Sequence, residues 1–189
     1  HEKIFSDKIA PSSIFSRRKG ETSMFEPGNL IIYSGEGVCR VERVGPLEMS
    51  GSNPSKLYYT LQPVYRQGKI FIPVDTTVFM RPVITRQQAK ELIRHIPEIK
   101  GEVYETRNQR MLNDHYQALL QSHDCKDMLH LIKAVYNKQQ ESLVQGKKAG
   151  LVDERYMKRA EDILYGELAV ALDIDKQDVP DYIANILNT

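Results

Sequence analysis

Histidine and aspartate are the residues through which this sequence could bind a metal. His123 and His130 stand seven positions apart, a spacing that places both on one face of a helix, but the HExxH pattern of zinc enzymes is absent. Asp173, Asp175 and Asp178 lack the glycine and the terminal glutamate of a calcium-binding EF-hand loop. We therefore predict no metal site and interpret these aspartates as a solvated acidic surface.

The sequence also lacks the patterns that mark nucleophilic or phosphate chemistry. It contains no GxSxG, no Walker A loop and no GxGxxG after a strand. Its two cysteines, Cys39 and Cys125, are far apart and form no CxxC pair, so we expect both to be reduced and structural. We predict that the protein is not an enzyme and uses no cofactor or small-molecule substrate.

Basic side chains are the remaining candidates for function. Residues 84–159 hold 14 Lys and Arg against 10 Asp and Glu, whereas residues 160–189 hold 1 against 7. Such segregation permits a face that binds the phosphates of a nucleic acid. A row at helical spacing, predicted to lie opposite the apolar face, consists of Lys126, His130, Lys133 and Asn137. Further candidates for DNA contact are Arg107, Arg110, Lys147, Lys148, Arg155, Lys158 and Arg159.

Short alternating runs predict strands in the first half of the chain. They cover residues 30–33, 38–44, 56–64 and 69–74, with a possible last strand at 77–80 ended by Pro82. The turn at Ser34-Gly35-Glu36-Gly37 places two glycines where positive φ is expected, and residues 49–55 are predicted to form a hairpin loop. Four or more close strands favour a small, bent antiparallel sheet, with Pro63 and Pro73 at edges or bulges.

Apolar spacing changes to the helical period at residue 85. Thr85 and Gln88 have the spacing of a capping box, and the helices are predicted at 85–96, 107–121, 124–145, 153–172 and about 178–187. Asp153 is the expected cap of the fourth helix, and 99–106 is expected to be a linker. The fold class is therefore α+β: an antiparallel β domain near 24–83, then a helical domain near 84–189.

A small sheet leaves an edge strand that can bind a partner. Arg66, Lys69 and Phe71 surround the third turn and the strand after it, where they could contact that partner; Phe71 could equally belong to the core. Residues 1–23 are expected to be a leader or a poorly ordered extension. No apolar run reaches the 18 to 20 or so residues that span a bilayer, so we expect a cytoplasmic protein without membrane contact.

Three segments resemble the CarD family, also called CdnL, of bacterial regulators that bind RNA polymerase. The first is MFEPGNLIIYSGEGVCRVERV at 24–44, with its turn, its apolar strand ending in Tyr and its glycine before the next strand. The second is IFIPV at 70–74, and the third is AEDILYGELA at 160–169, which is similar to the family's A-x-x-I-L-x-x-E-L-A helix. The resemblance extends over about residues 24–187.

This resemblance implies a Tudor-like N-terminal domain that binds the β subunit of RNA polymerase and a helical domain that contacts promoter DNA. The implied function is to modulate the stability of the open promoter complex, without a cofactor. Where the family carries a Trp, this chain has Arg107-Asn108-Gln109-Arg110 and no Trp at all. The resemblance therefore assigns DNA contact to Arg107 and Arg110 but no aromatic wedge.

A second hypothesis is a protein-interaction module that binds a partner by sheet-edge pairing and makes no DNA contact. DNA retention that weakens steeply with salt discriminates the two hypotheses, since only the first predicts it.

Overall fold

A computed structural model describes residues 25–47, 55–148 and 150–188 of the chain. In these residues a five-stranded antiparallel sheet is followed by five α-helices, which confirms the predicted α+β order. The predicted leader at 1–23 and nearly all of the predicted loop at 49–55 lie outside the described residues.

The sheet has the strand order β4-β3-β2-β1-β5, so β4 and β5 are its edges. The strands are β1 (Leu30–Tyr33), β2 (Gly37–Gly45), β3 (Tyr58–Pro63), β4 (Ile70–Pro73) and β5 (Met80–Pro82). A 3-10 turn, Ser34–Glu36, joins β1 to β2, and Gly37 after it has the expected positive φ of 81°. The second positive φ in this turn belongs to Ser34 and not to Gly35. Gly35 instead leaves room for Arg159, whose Nη2 would lie 3.0 Å from a Cβ there.

The last strand begins at Met80 and not at residue 77 as predicted, and it ends at Pro82, the predicted stop, which is its last residue. Val83 N–H donates to Leu30 O, so by alternation the backbone of Pro82 faces away from β1 and its missing N–H costs no ladder bond. Pro73 ends the edge strand β4, as predicted. Pro63 lies in the interior strand β3, at its end, where β4 no longer runs alongside it.

Five helices make up the rest: α1 (Arg86–Arg94), α2 (Gln109–Gln121), α3 (Cys125–Val144), α4 (Leu151–Leu172) and α5 (Val179–Leu187). The capping box of Thr85 and Gln88 is present, and Asp124 caps α3 as predicted. The second helix begins later than predicted, since Asn108 is its N-cap and Arg107 precedes it. The fourth begins two residues earlier than predicted, with Gly150 at the cap position, and Asp153 lies buried inside its first turn.

Two apolar cores are formed. One lies on the inner face of the sheet and includes Ile31, Tyr59 and Leu61; the other lies among the helices, where Leu131 and Leu164 are fully buried. Burial of these side chains is the main favourable term in folding. In the described part of the chain, no helix has the length and apolar character needed to cross a membrane.

Candidate functional site

The outer edge of β4 is the first candidate surface. Val74 N–H donates to Leu57 O at 3.0 Å, and alternation then directs the N–H and C=O groups of Ile70 and Ile72 toward β3. The N–H and C=O of Phe71 therefore face outward, away from the sheet. An outward donor and acceptor on an edge strand can pair with a strand of another protein.

The Phe71 side chain belongs to the solvent face of the sheet. It is 48% exposed, whereas its neighbour Ile72 is buried in the core. Its cross-strand partner is Thr60, which in turn pairs with Arg43 of β2. Of the two interpretations offered for Phe71, the structure therefore supports a surface position.

Arg66 lies in the β3–β4 turn, next to α4, and Lys69 directly precedes β4; both are held by exposed ion pairs. Arg66 Nη1 contacts Glu36 at 3.0 Å, and Lys69 Nζ contacts Glu42 at 2.6 Å. Exposed pairs of this kind contribute about 0 to 1 kcal/mol. Both cations can therefore exchange their present partners for a ligand at small cost.

The opposite edge strand, β5, is joined to the helices. Arg81 donates two hydrogen bonds to the carboxylate of Glu167 in α4, one of them at 2.8 Å, and its guanidinium also contacts the carbonyl oxygen of His123 at 3.0 Å. Glu167 is fully buried and also accepts from the Ile84 N–H at 3.0 Å and from the Cys125 thiol at 3.3 Å. Burial alone would lower the pKa of Arg81, but the hydrogen bond and charge of Glu167 raise it, so this arginine stays charged.

Aromatic contacts continue this junction on either side. Tyr65 donates its hydroxyl to the carbonyl oxygen of Gly166 at 3.0 Å, and Lys176 Nζ lies 4.7 Å from the centre of the Tyr65 ring. Phe79 stacks on His123 with ring centres 4.3 Å apart. The sheet therefore contacts the helices through β2, the β1–β2 turn, the β3–β4 turn and β5, and the outer edge of β4 stays accessible.

On the helices, the structure brings several of the predicted DNA contacts to one end. Arg155 on α4 donates to the side chain of Asn113 on α2 at 2.8 Å. Arg110 lies one helical turn before Asn113 and is exposed, and its Nε is 4.0 Å from the carboxylate of Asp114. Lys147 and Lys148 follow α3 in the turn that leads to α4, and both are exposed. These four cations form what we name the basic end.

Lys133 and Asn137 do not lie on the free face predicted for them. Lys133 Nζ donates to the carbonyl oxygens of Ile96 and Pro97 at 3.1 and 3.2 Å, and Asn137 donates to Gly101 O at 2.9 Å. The predicted linker packs here, and its Tyr104 stacks on His115 at 4.2 Å between ring centres. Lys133 and Asn137 therefore hold residues 96–101 against α3, a structural role that the spacing of the row did not indicate.

The remaining predicted contacts are distributed differently. Lys126 lies in the first turn of α3, 18 residues before Val144, so it is about 27 Å along the helix from the end that leads to Lys147 and Lys148. Arg159 lies against the β1–β2 turn, and Lys158 borders an open groove with Lys176 and Pro180. Lys126 alone is thus remote from the basic end, because Lys158 and Arg159 follow Arg155 by one turn of α4 and Arg107 directly precedes α2.

A buried polar network positions the helices that carry the basic end. Asp153 in α4 accepts from the Tyr116 hydroxyl of α2 at 2.6 Å and from Lys138 Nζ of α3 at 2.9 Å. Burial, and then the hydrogen bond to Asp153, raises the pKa of Tyr116, so its hydroxyl remains a donor. Charge-assisted hydrogen bonds to Asp153 thus join α2, α3 and α4. Asp153 is buried because it makes these bonds, and its side chain does not cap α4.

Sequence reasoning missed Arg81, Glu167 and Tyr65. A signal existed for Glu167, since it lies three residues after Leu164 and four after Ile163, inside the apolar stripe of its helix. A carboxylate there requires a buried cation. No comparable signal identifies Arg81 or Tyr65. Among the residues that the structure describes, no three His, Cys, Asp or Glu side chains approach closely enough to hold a metal ion.

Comparison with known protein families finds a match for the part of the chain that forms the sheet. No curated protein matches the chain. A family model does match, over residues 25–84, and its description is CarD-like/TRCF RID domain. The matched residues include all five strands. The sheet is therefore similar to the CarD-like/TRCF RID domain, a family of protein-interaction domains.

Proposed function

We propose that the protein is a transcription regulator that binds the β subunit of RNA polymerase through the open edge of β4 and contacts promoter DNA with its helices. The observation that carries the proposal is that residues 25–84, which match the CarD-like/TRCF RID domain, leave β4 unpaired, whereas the opposite edge strand, β5, is attached to α4 through Arg81. Polymerase binding is thus assigned to Arg66, Lys69 and Phe71.

DNA contact is assigned first to the basic end, with Arg107 beside it. Exposed cations on separate helices can contact successive phosphates, and the fixed contact of Arg155 with Asn113 supports such an arrangement. Lys158 and Arg159, one turn after Arg155 on α4, are proposed as adjoining contacts, and Lys126, at the other end of α3, as a peripheral one. By holding polymerase and promoter together, the protein would change the lifetime of the open complex.

The polymerase contact is tested with two substitutions of Phe71. Phe71→Ala removes the exposed ring, and Phe71→Pro also removes the outward N–H without breaking a bond to β3. We expect polymerase binding to weaken in the first variant and to weaken further in the second. Val78→Ala, another exposed apolar position, is the matched control. Equal binding by all four proteins would contradict an edge-pairing mode.

The DNA contact is tested by the lifetime of open complexes formed by the cognate polymerase. The intact protein should change this lifetime, and the double variant Arg107→Ala, Arg110→Ala should return it toward the value without protein. The control changes two other exposed arginines, Arg86→Ala and Arg94→Ala on α1, and should behave as the intact protein. Polymerase binding without any effect on lifetime would favour the module that makes no DNA contact.

A further inference from the structure

The most exposed apolar side chains of the described residues lie together at one end of the helices. Leu143 and Val144 end α3 and are 67% and 89% exposed, and Leu151 begins α4 and is 83% exposed. The next most exposed large apolar side chain, Tyr136, is 54% exposed. We name residues 143–148 with Leu151 the α3–α4 tip. Three exposed aliphatic side chains on the two sides of one turn are candidates for a binding surface.

The tip has a defined backbone. Gly146 has φ of 66°, its N–H donates to Leu143 O at 3.0 Å, and the Lys147 N–H donates to Ser142 O at 2.8 Å. These are the two hydrogen bonds of a Schellman motif, which ends a helix in a fixed geometry. The aliphatic side chains at the end of α3 are therefore presented by a rigid turn.

Charge indicates the chemistry of the occupant. Lys147 and Lys148 are exposed between the aliphatic groups of the two helices, and Arg155 follows one helical turn after Leu151. The cations continue to Arg110, one turn before the Asn113 that Arg155 contacts. Glu141 and Glu154 are also exposed on these helices, so the excess of positive charge is centred on Lys147 and Lys148, and a partner with negative charges beside an apolar interior would complement the tip. Double-stranded DNA does so, because phosphates border a groove whose floor is the base stack.

We propose that the α3–α4 tip inserts an aliphatic side chain of Val144 or Leu151 at a base step of bound DNA, while Lys147 and Lys148 contact the flanking phosphates. The inference rests on the proposed DNA binding by the helices and adds to it an apolar, base-unstacking contact. Side chains of this size are used in this way by minor-groove proteins, which thereby kink the duplex.

The test uses the full chain and a duplex of about three helical turns that carries 2-aminopurine, a base whose fluorescence rises when its neighbours unstack. Val144→Ser with Leu151→Ser removes the aliphatic groups, and Lys147→Ala with Lys148→Ala removes the charges. Leu187→Ser, an exposed leucine on α5, is the matched control. Unchanged thermal midpoints verify that these surface variants fold.

We expect the intact protein and the Leu187 variant to raise the fluorescence, and the Val144, Leu151 variant to lose most of that rise with an unchanged salt dependence of binding. The lysine variant should reduce the slope of log affinity against log salt by about 1.8, since each phosphate contact contributes about 0.9.

A full fluorescence rise in the Val144, Leu151 variant overturns the inference. Salt-dependent binding by the intact chain without any rise also overturns it and leaves the proposed function standing, whereas the lack of salt-dependent binding overturns both. If instead the Val144, Leu151 variant loses binding to phosphatidylserine vesicles but gives the same DNA binding and fluorescence rise as the intact protein, the tip is a lipid-binding surface and the inference is wrong.

Discussion

Arg81, on an edge strand of the sheet, donates two hydrogen bonds to the carboxylate of Glu167, which is fully buried in α4. The same carboxylate accepts the N–H of Ile84, in the segment that connects the sheet to the first helix. Both partners of the ion pair thus help to hold the sheet and the helices together, beside the contacts of Tyr65 and Phe79. In the proposed function, the pair contributes to the placement of the polymerase-binding edge relative to the basic end.

Loss of Glu167 should strongly destabilise the protein. In Glu167→Ala the guanidinium of Arg81 and the N–H of Ile84 lose their partner in a buried site, and we expect the free energy of unfolding to fall by about 3 to 5 kcal/mol. Urea denaturation measures this loss. Glu42→Ala, which breaks the exposed pair with Lys69, should cost less than about 1 kcal/mol. A similar cost for both variants would show that the buried pair contributes no more than a surface one.

Stability should fall on the acid side partly because of His123. Burial, and then the positive charge of Arg81, lowers the pKa of His123 below its ordinary value of 6.5. As the pH falls, the His123 side chain is therefore protonated in the unfolded chain at a higher pH than in the folded protein. The contribution of His123 to stability is present above pH 6.5 and is lost as the pH falls toward the lowered pKa of the folded state.

His123→Asn should reduce this loss, measured as the difference in the free energy of unfolding between pH 7.5 and pH 5.5. Asparagine suits the site because His123 has φ of 55°, in the left-handed region that Asn tolerates. His95→Asn, at an exposed position, is the control and should keep the pH dependence of the unchanged chain. An identical acid-side loss in all three proteins would exclude His123 as the source.

A methyl group at Gly101 should test whether the segment 99–106 is docked on α3. A Cβ there would lie 2.7 Å from the carbonyl carbon of Lys133 and 2.9 Å from the N of Ala134, both backbone atoms of a helix. We expect Gly101→Ala to lower the free energy of unfolding by about 1 to 3 kcal/mol through overpacking. Lys100→Ala, at the exposed neighbouring position, should change it by less than about 0.5 kcal/mol. Equal stability of the two variants would mean that the segment is not held as described.

Local signals were enough to predict most elements and several caps. The capping box of Thr85 and Gln88 and the cap at Asp124 depend on residues within one turn, and the structure confirms them. Asp153 was wrongly predicted as a cap because the same side chain also suits a buried network, and its partners Tyr116 and Lys138 are 37 and 15 positions away. The last strand was predicted at 77–80 but extends over Met80–Pro82, with Pro82 as its last residue, because pairing with β1 across some 50 positions fixes its extent.

The sequence by itself determined the order of strands and helices and the absence of catalytic motifs, since periodicity and short patterns are properties of neighbouring residues. Only the tertiary structure decided which edge of the sheet stays open and which cations lie together. Arg81 meets Glu167 across 86 positions, and Arg155 meets Asn113 across 42. Helical spacing shows which residues share a face of one helix, but not which other element packs against that face. The sequence therefore did not indicate that Lys133 is held by residues 96–97, whereas Arg110 remains exposed.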